Sequence, residues 1–155
     1  MSLQFEQALS GITRLGFDTA PLIYYIELNP DYVDAMREII RRLDAGVVRG
    51  YSSSLTLTEV LTKPIELGRT DLQIKYQQLL VGSRHFSLVA INNSIAITAA
   101  EMRARYNLRT PDALQIAAAM SVGCQAFLTN DQKLRRVKEL KVLLLSDLVS
   151  TSSPS

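Results

Sequence analysis

Thr110-Pro111-Asp112-Ala113-Leu114-Gln115-Ile116-Ala117-Ala118-Ala119-Met120 is the stretch on which the fold turns. Thr110 reads as an N-cap, its hydroxyl able to accept a hydrogen bond from a free N–H of the first turn. Pro111 suits the first helical position, where no amide donor is needed. Asp112 falls in the first turn, where the helix dipole favours a carboxylate. Beyond it the run is almost wholly apolar and rich in small alanines as far as Gly123. The pattern predicts a helix buried on most of its surface, with its only charge at its mouth. Taken alone, Asp112 is a dipole-stabilising cap residue. The chemistry depends on whether other carboxylates gather at the same edge.

Outward from this helix, strands and helices alternate. Leu3 to Leu9 forms a short helix stopped by Gly11, and Leu15-Gly16-Phe17 a strand leading to Asp18. Pro21 opens Leu22–Ile26, and a helix from about Asp31 carries Val33, Met36, Ile40 and Leu43 on one face. Val47–Ser53 is the next strand. Thr56-Leu57-Thr58-Glu59 opens a helix that Lys63-Pro64 breaks or restarts. Thr70 caps another, with Leu72, Tyr76, Leu79 and Leu80 along one side. Phe86–Ile91 is a strand, and Asn92 or Asn93 caps a helix carrying Ile95, Ala99 and Met102. After the buried helix, Ala126–Thr129 is a strand ending at Asn130-Asp131, and Val142–Leu145 is the last. This alternation implies parallel crossovers: an α/β fold with a central, mainly parallel sheet covered on both faces. Residues 1–148 form one domain, with a helical extension over 1–14. Residues 149–155, Ser/Pro-rich, form a disordered tail.

At 155 residues the chain supports a single sizeable core. No apolar run approaches the length of a bilayer span, and the first residues do not form a signal peptide. One cysteine, Cys124, excludes an internal disulfide and a multi-cysteine zinc site, and points to the cytoplasm. One histidine, His85, lies in a loop-like stretch and excludes histidine-rich metal sites. The net charge of +2 is unevenly spread. From Glu101 to Lys141 eight basic residues face four acids, which leaves +4. That basic flank suits a polyanion, although a solvated helix face would look the same.

In an open parallel sheet, ligands bind beyond the carboxyl ends of the strands. Four acids take such positions: Asp18 after the first strand, Glu59 in the turn after the second, Asp112 at the buried helix, and Asp131 after the strand ending at Thr129. Each has a plainer reading. Asp18 can cap the helix near Pro21, Thr56-x-x-Glu59 fits a capping box, and Asp131 can be a turn residue with Asn130. Four caps at one end of one sheet are less plausible together than singly. Clustered carboxylates repel, and burying them costs several kcal/mol (about 2–7) unless a cation neutralises them. Oxygen ligands without Cys or His select Mg²⁺ or Mn²⁺, ions that also bind phosphate oxygens and activate water.

Four pieces, in their order and spacing, resemble the PIN-domain ribonucleases, in particular the VapC-type toxins of type II toxin–antitoxin pairs: Phe17-Asp18-Thr19-Ala20-Pro21-Leu22-Ile23, Ser54–Val60, Thr110–Ala119 and Phe127–Asp131. The resemblance runs from Phe17 to about Leu148. It implies a three-layer α/β/α sandwich around four to five strands. It implies that Asp18, Glu59, Asp112 and Asp131 hold one or two divalent ions for cleavage of single-stranded RNA by metal-activated water, leaving a 5′-phosphate and a 3′-hydroxyl. Carried over, Asp18 and Asp112 are direct ligands. Glu59 binds a second ion or orients the water, and Asp131 acts directly or through water. Thr129, Thr110 and Asn130 are supporting residues around them. It also implies a homodimer and a cognate antitoxin peptide near the acids. Two features depart from the family. Ala20 stands where many relatives have Asn or Ser, and residues 1–17 precede the first aspartate, as an extra helix or an aid to oligomerisation.

Other enzyme classes fit the sequence less well. A haloacid-dehalogenase-like phosphatase needs a second acid where Ala20 stands, and no Gly-rich phosphate loop with lysine is present. A PIN nuclease of RNA processing or decay without an antitoxin, and a non-catalytic RNA- or protein-binding PIN scaffold, remain as alternatives.

Overall fold

The computed structural model describes residues 3–150. In chain order its elements are α1 (Leu3–Leu9), β1 (Arg14–Phe17), α2 (Thr19–Ile26), α3 (Val33–Asp44), β2 (Arg49–Ser53), α4 (Leu55–Glu66), α5 (Thr70–Leu80), β3 (Phe86–Val89), α6 (Asn93–Tyr106), α7 (Thr110–Ser121), β4 (Ala126–Thr129), β5 (Lys141–Leu144) and α8 (Leu145–Ser150), with a 3₁₀ turn at Gln132–Arg136. The strands form one sheet in the order β3-β2-β1-β4-β5, and every neighbouring pair is parallel. Each crossover between parallel strands therefore travels back over a face of the sheet, which gives the three layers.

Side-chain alternation along the strands splits the core in two. Leu15, Phe17, Ala126 and Leu128 join the larger cluster with Phe5, Leu22, Met36, Ile39 and Tyr76, under α1, α2, α3 and α5. Tyr51 and Phe127 face the other way, into Ile116, Ala117, Ala118 and Met102 of α7 and α6. The small residues of α7 let it lie close against β1. A Cβ built on Gly16 would stand 2.9 Å from both the Ala119 Cβ and a Phe127 ring carbon. Position 16 is therefore closed to any side chain without repacking.

The strand order fixes where a ligand can sit. From β1 the chain steps outward through β2 to β3, then returns to the other side of β1 for β4 and β5. The switch falls between β1, which α2 leaves, and β4, which the 3₁₀ turn leaves, so the crevice in which such sheets bind ligands falls at the carboxyl ends of these two strands. The register sets Phe17 against Leu128, and the Asp18 N–H donates to the Leu128 carbonyl at 2.8 Å. Asp18 thus stands at the lip of that crevice.

Several local expectations are corrected. Pro64 does not break its helix; it lies in the last turn of α4, and the helix stops only at Gly68, whose φ of +65° a side chain would resist. Arg69, not Thr70, occupies the N-cap of α5, with no side-chain hydrogen bond there. The sequence reading had no helix after the last strand, yet Leu145–Ser150 forms α8, including two residues assigned to the tail. Residues 151–155 of that tail lie outside the described residues. The N-terminal extension packs as an extra helix: Phe5 and Leu9 are buried, and Glu6 pairs with Arg42 at 2.7 Å.

Candidate active site

Asp18 is both cap and site residue. It occupies the N-cap of α2, and its Oδ1 accepts from the Thr19 N–H at 2.9 Å. Its Oδ2 accepts from the hydroxyl of fully buried Thr129 at 2.7 Å. The Thr129 oxygen in turn accepts from the Asp131 N–H at 3.0 Å, so one hydroxyl ties the first acid to the last. Burial lifts the Asp18 carboxyl above its ordinary 3.8, and the Asp112 and Glu59 charges push the same way. The Thr129 hydroxyl and the Thr19 N–H pull it back. Asp112 and Glu59 are therefore near enough to Asp18 for their charges to act on it.

Glu59 is held from the core side. The Thr56–Glu59 capping box does not form, because α4 opens at Leu55 with Ser54 as its N-cap. That places Thr56 in the core, fully buried. Glu59 Oε1 instead accepts from the Thr19 hydroxyl at 2.8 Å. Behind this pair lies a network that the sequence reading missed. Gln115, 3 % exposed, accepts from the Ser53 hydroxyl at 2.8 Å and donates to Thr56 at 2.7 Å and to Thr19 at 3.2 Å. Ser52 donates to the Phe17 carbonyl at 2.9 Å, so it must accept from Thr56 across their 2.7 Å contact. The donors then run one way, from Gln115 through Thr56 and Ser52 to the end of β1, and from Gln115 through Thr19 to Glu59. Only Gln115, three residues after Asp112 and the sole polar residue in an apolar run, signalled this in the sequence.

Asp112 lies in the first turn of α7 and pairs with Arg109 Nε at 3.3 Å. Thr110 is not the N-cap. The Arg109 carbonyl already accepts the first helical bond, from Ala113 N–H at 3.0 Å, so the helix begins one residue earlier and Thr110 is an exposed first residue. Asp131 caps the 3₁₀ turn through Oδ1, which accepts from Lys133 N–H at 2.9 Å. Asn130 Oδ1 accepts from the Ser146 N–H at 3.0 Å and ties the start of α8 to the end of β4. No hydroxyl stands at Ala20, and the donor at that turn is Thr19.

The four carboxylates therefore share one edge, with oxygen as their only donor element. Among the described residues no three carboxylate, imidazole or thiolate groups close around a common point. Arg109, charged and held by Asp112 foremost and by Asp131 and Glu59 at longer range, is a cation beside them. The donor set fits a hard divalent ion: Asp18 is partly buried among like charges, and its hydrogen bonds stabilise the ionised form. Other chemistries are poorly served. Burial pushes the Cys124 thiol up to about 12, and His85 precedes β3, at the opposite end of the sheet.

The PIN domain family matches residues 17–140, and the chain belongs to that family. Solved structures that share its fold include two from toxin–antitoxin complexes. A chain in the VapBC2 complex of Rickettsia felis, bound to a DNA fragment from its promoter, is 17% identical with a TM-score of 0.70, covering 85% of this chain and 98% of that one. A chain in a toxin–antitoxin complex from Klebsiella pneumoniae is 21% identical with a TM-score of 0.64, covering 84% and 97%. No curated protein sequence matches the chain.

Proposed function

We propose that the protein is a divalent-metal-dependent endoribonuclease acting on single-stranded RNA, and the toxin of a toxin–antitoxin pair. One observation supports the nuclease reading: Asp18, Glu59, Asp112 and Asp131 lie along the carboxyl edge of the sheet, and burial, with the Asp112 and Glu59 charges, makes Asp18 costly to ionise. In this reading Asp18 and Asp112 hold Mg²⁺ or Mn²⁺, with Glu59 and Asp131 completing the set. The ion supplies Lewis-acid stabilisation of phosphate charge and a more acidic water. The chain's own residues do the positioning. Thr129 and the Thr19 N–H fix both oxygens of Asp18. Thr19 fixes one oxygen of Glu59 and leaves the other to orient the attacking water and take its proton. The water oxygen bonds to phosphorus, the P–O3′ bond breaks, and the 3′-oxygen takes a proton from solvent. The products are a 5′-phosphate and a 3′-hydroxyl.

The toxin role is supported by the fold shared with chains of two toxin–antitoxin complexes. It brings with it an antitoxin partner, a homodimer and a cytoplasmic site of action. No helix among the described residues is long and apolar enough to cross a membrane. The open spacing of the acids favours one second reading, a scaffold that binds RNA without cutting it. Purified protein incubated with single-stranded RNA decides between them. The nuclease cuts with Mn²⁺, stops in EDTA and is inactive as Asp112→Asn. Cleavage that survives either change refutes the mechanism, and RNA binding without cleavage establishes the scaffold. For the toxin role, expression arrests growth and Asp18→Ala relieves it; equal arrest by both counts against it.

A further inference from the structure

A cleft of about 430 Å³ opens beside the acids, between the loop after α6 and the 3₁₀ turn after β4. Its size falls within the ordinary range of ligand sites. It is lined by Arg109, Lys133 and Arg136 together with Asp112 and Asp131. Three cations face two acids, an unusual wall for a site whose far side is built from carboxylates. The cations differ in how they are held. Arg136 is fixed, its Nε donating to the Lys133 carbonyl and its Nη1 to the Tyr106 carbonyl, both at 2.9 Å. The Lys133 ammonium makes no ion pair among the described residues. Arg109 is engaged through a single Nε contact to Asp112, and its side chain is 79% exposed. Nothing packs it in place, so it can leave Asp112 without opening a cavity.

Asp112 cannot serve a guanidinium and a divalent ion equally well, since both need the same oxygens and like charges repel at this distance. A strand that brings phosphate to this edge must also find cations beyond the acids, or the carboxylates repel it. We propose that Arg109 is a two-position residue: it neutralises Asp112 in the metal-free protein, and it binds an RNA phosphate in the cleft with Lys133 and Arg136 once a divalent ion takes the carboxylates. This rests on the nuclease reading and adds to it a residue that couples ion binding to strand binding. Arg109 is a positioning residue for the phosphate, and does not itself take part in bond cleavage.

The test uses the full chain, with Mn²⁺ followed by calorimetry and a labelled single-stranded oligoribonucleotide followed by anisotropy, with Ca²⁺ in place of Mn²⁺. Arg109→Ala keeps the backbone carbonyl that starts α7. It is expected to tighten Mn²⁺ binding roughly twofold or more, because a competing cation is gone. It is expected to weaken RNA binding about fivefold at ~0.1 M salt, the factor for one lost phosphate contact on a single strand. Arg109→Lys restores most of the RNA affinity. RNA affinity unchanged in Arg109→Ala, or Mn²⁺ affinity unchanged or weaker, overturns the proposal; weaker Mn²⁺ binding would make Arg109 only a support for the Asp112 carboxylate. Wild-type protein that binds neither Mn²⁺ nor RNA overturns the nuclease reading and this inference together, whereas binding of both with no change in Arg109→Ala overturns this inference alone.

Discussion

The two ends of the sheet use the same kinds of side chain to opposite effect. At the amino end, polar groups meet their complements. Gln125 Oε1 accepts from the Thr13 N–H, the Thr13 hydroxyl and the Arg14 N–H at 2.6, 3.0 and 2.9 Å, while its Nε2 donates to the Gly11 carbonyl at 2.8 Å. Arg14 donates to the Val122 carbonyl at 2.9 Å and to the Tyr51 hydroxyl at 3.1 Å, with its guanidinium over the Tyr51 ring. At the carboxyl end, the hydrogen bonds are spent on aiming acceptors at one another. Thr19 and Thr129 hold Glu59 and Asp18 in place, and burial makes the Asp18 charge unfavourable. One end is satisfied within the chain. At the other, the Asp18 charge carries a cost that a bound cation would remove, as the proposed site requires.

The contrast can be broken most severely by removing a carboxylate. Asp112→Asn lowers the rate of RNA cleavage by about 10³-fold or more in a steady-state assay, as expected when an ion that supplies several kcal/mol is lost. A loss under tenfold would mean that Asp112 is only a cap. Next comes the buried relay. Gln115→Ala leaves the buried Ser53 hydroxyl without its acceptor and Thr56 without the donor from Gln115, and costs about 1–3 kcal/mol by urea unfolding. It also slows cleavage by roughly tenfold through a loosened Glu59, since misplaced catalytic groups lose at least that much. Unchanged stability would show that Gln115 is dispensable. The matching change at the other end, Gln125→Ala, removes exposed hydrogen bonds; it costs about 1 kcal/mol and leaves the rate per folded molecule unaltered. A fall in rate there would erase the distinction between the ends.

The smallest effect is the most diagnostic in sign. The folded-state pKa of Asp18 lies above its ordinary 3.8, so its charge opposes folding at neutral pH. That penalty fades as pH falls through the folded pKa and is absent below the ordinary value. Asp18→Asn keeps an acceptor for the Thr19 N–H, swaps the acceptor of the Thr129 hydroxyl for an amide donor and removes the buried charge, so in EDTA at pH 7 it should melt higher than wild type, by on the order of a few degrees. The gap should close on acidification. A variant that melts lower at pH 7 would show that the Asp18 charge is stabilised by its hydrogen bonds more than it is opposed.

What the sequence disclosed and what it withheld follow from range. The alternation of apolar runs forces parallel crossovers, and strand ends in such a sheet have few alternatives, so Asp18 and Asp131 could be placed from local pattern alone. Thr110 illustrates the limit of that reasoning. A threonine before a proline is a good cap in principle, but which carbonyl accepts the first bond is settled by where the loop from α6 delivers the chain. The inward role of Gln115 depends on Ser53, Thr56 and Thr19, far away in sequence, and no periodicity reports it. Asn130 reads as a companion to Asp131 and also serves α8, an element too short and too mixed to read. The positions of the acids and of Thr129 beside Asp18 were legible, while the rest of the apparatus that aims them was not.

The claim beneath all of this is that the acids at the carboxyl end share a divalent ion through Asp112. Thermal unfolding with and without Mn²⁺ tests it most directly, because an ion bound only to the folded state stabilises it by about 2.7 kcal/mol at a hundred times its dissociation constant. Mn²⁺ should raise the melting temperature of wild type by several degrees and leave that of Asp112→Asn nearly unmoved. An equal rise in both proteins, or none in wild type, would contradict it.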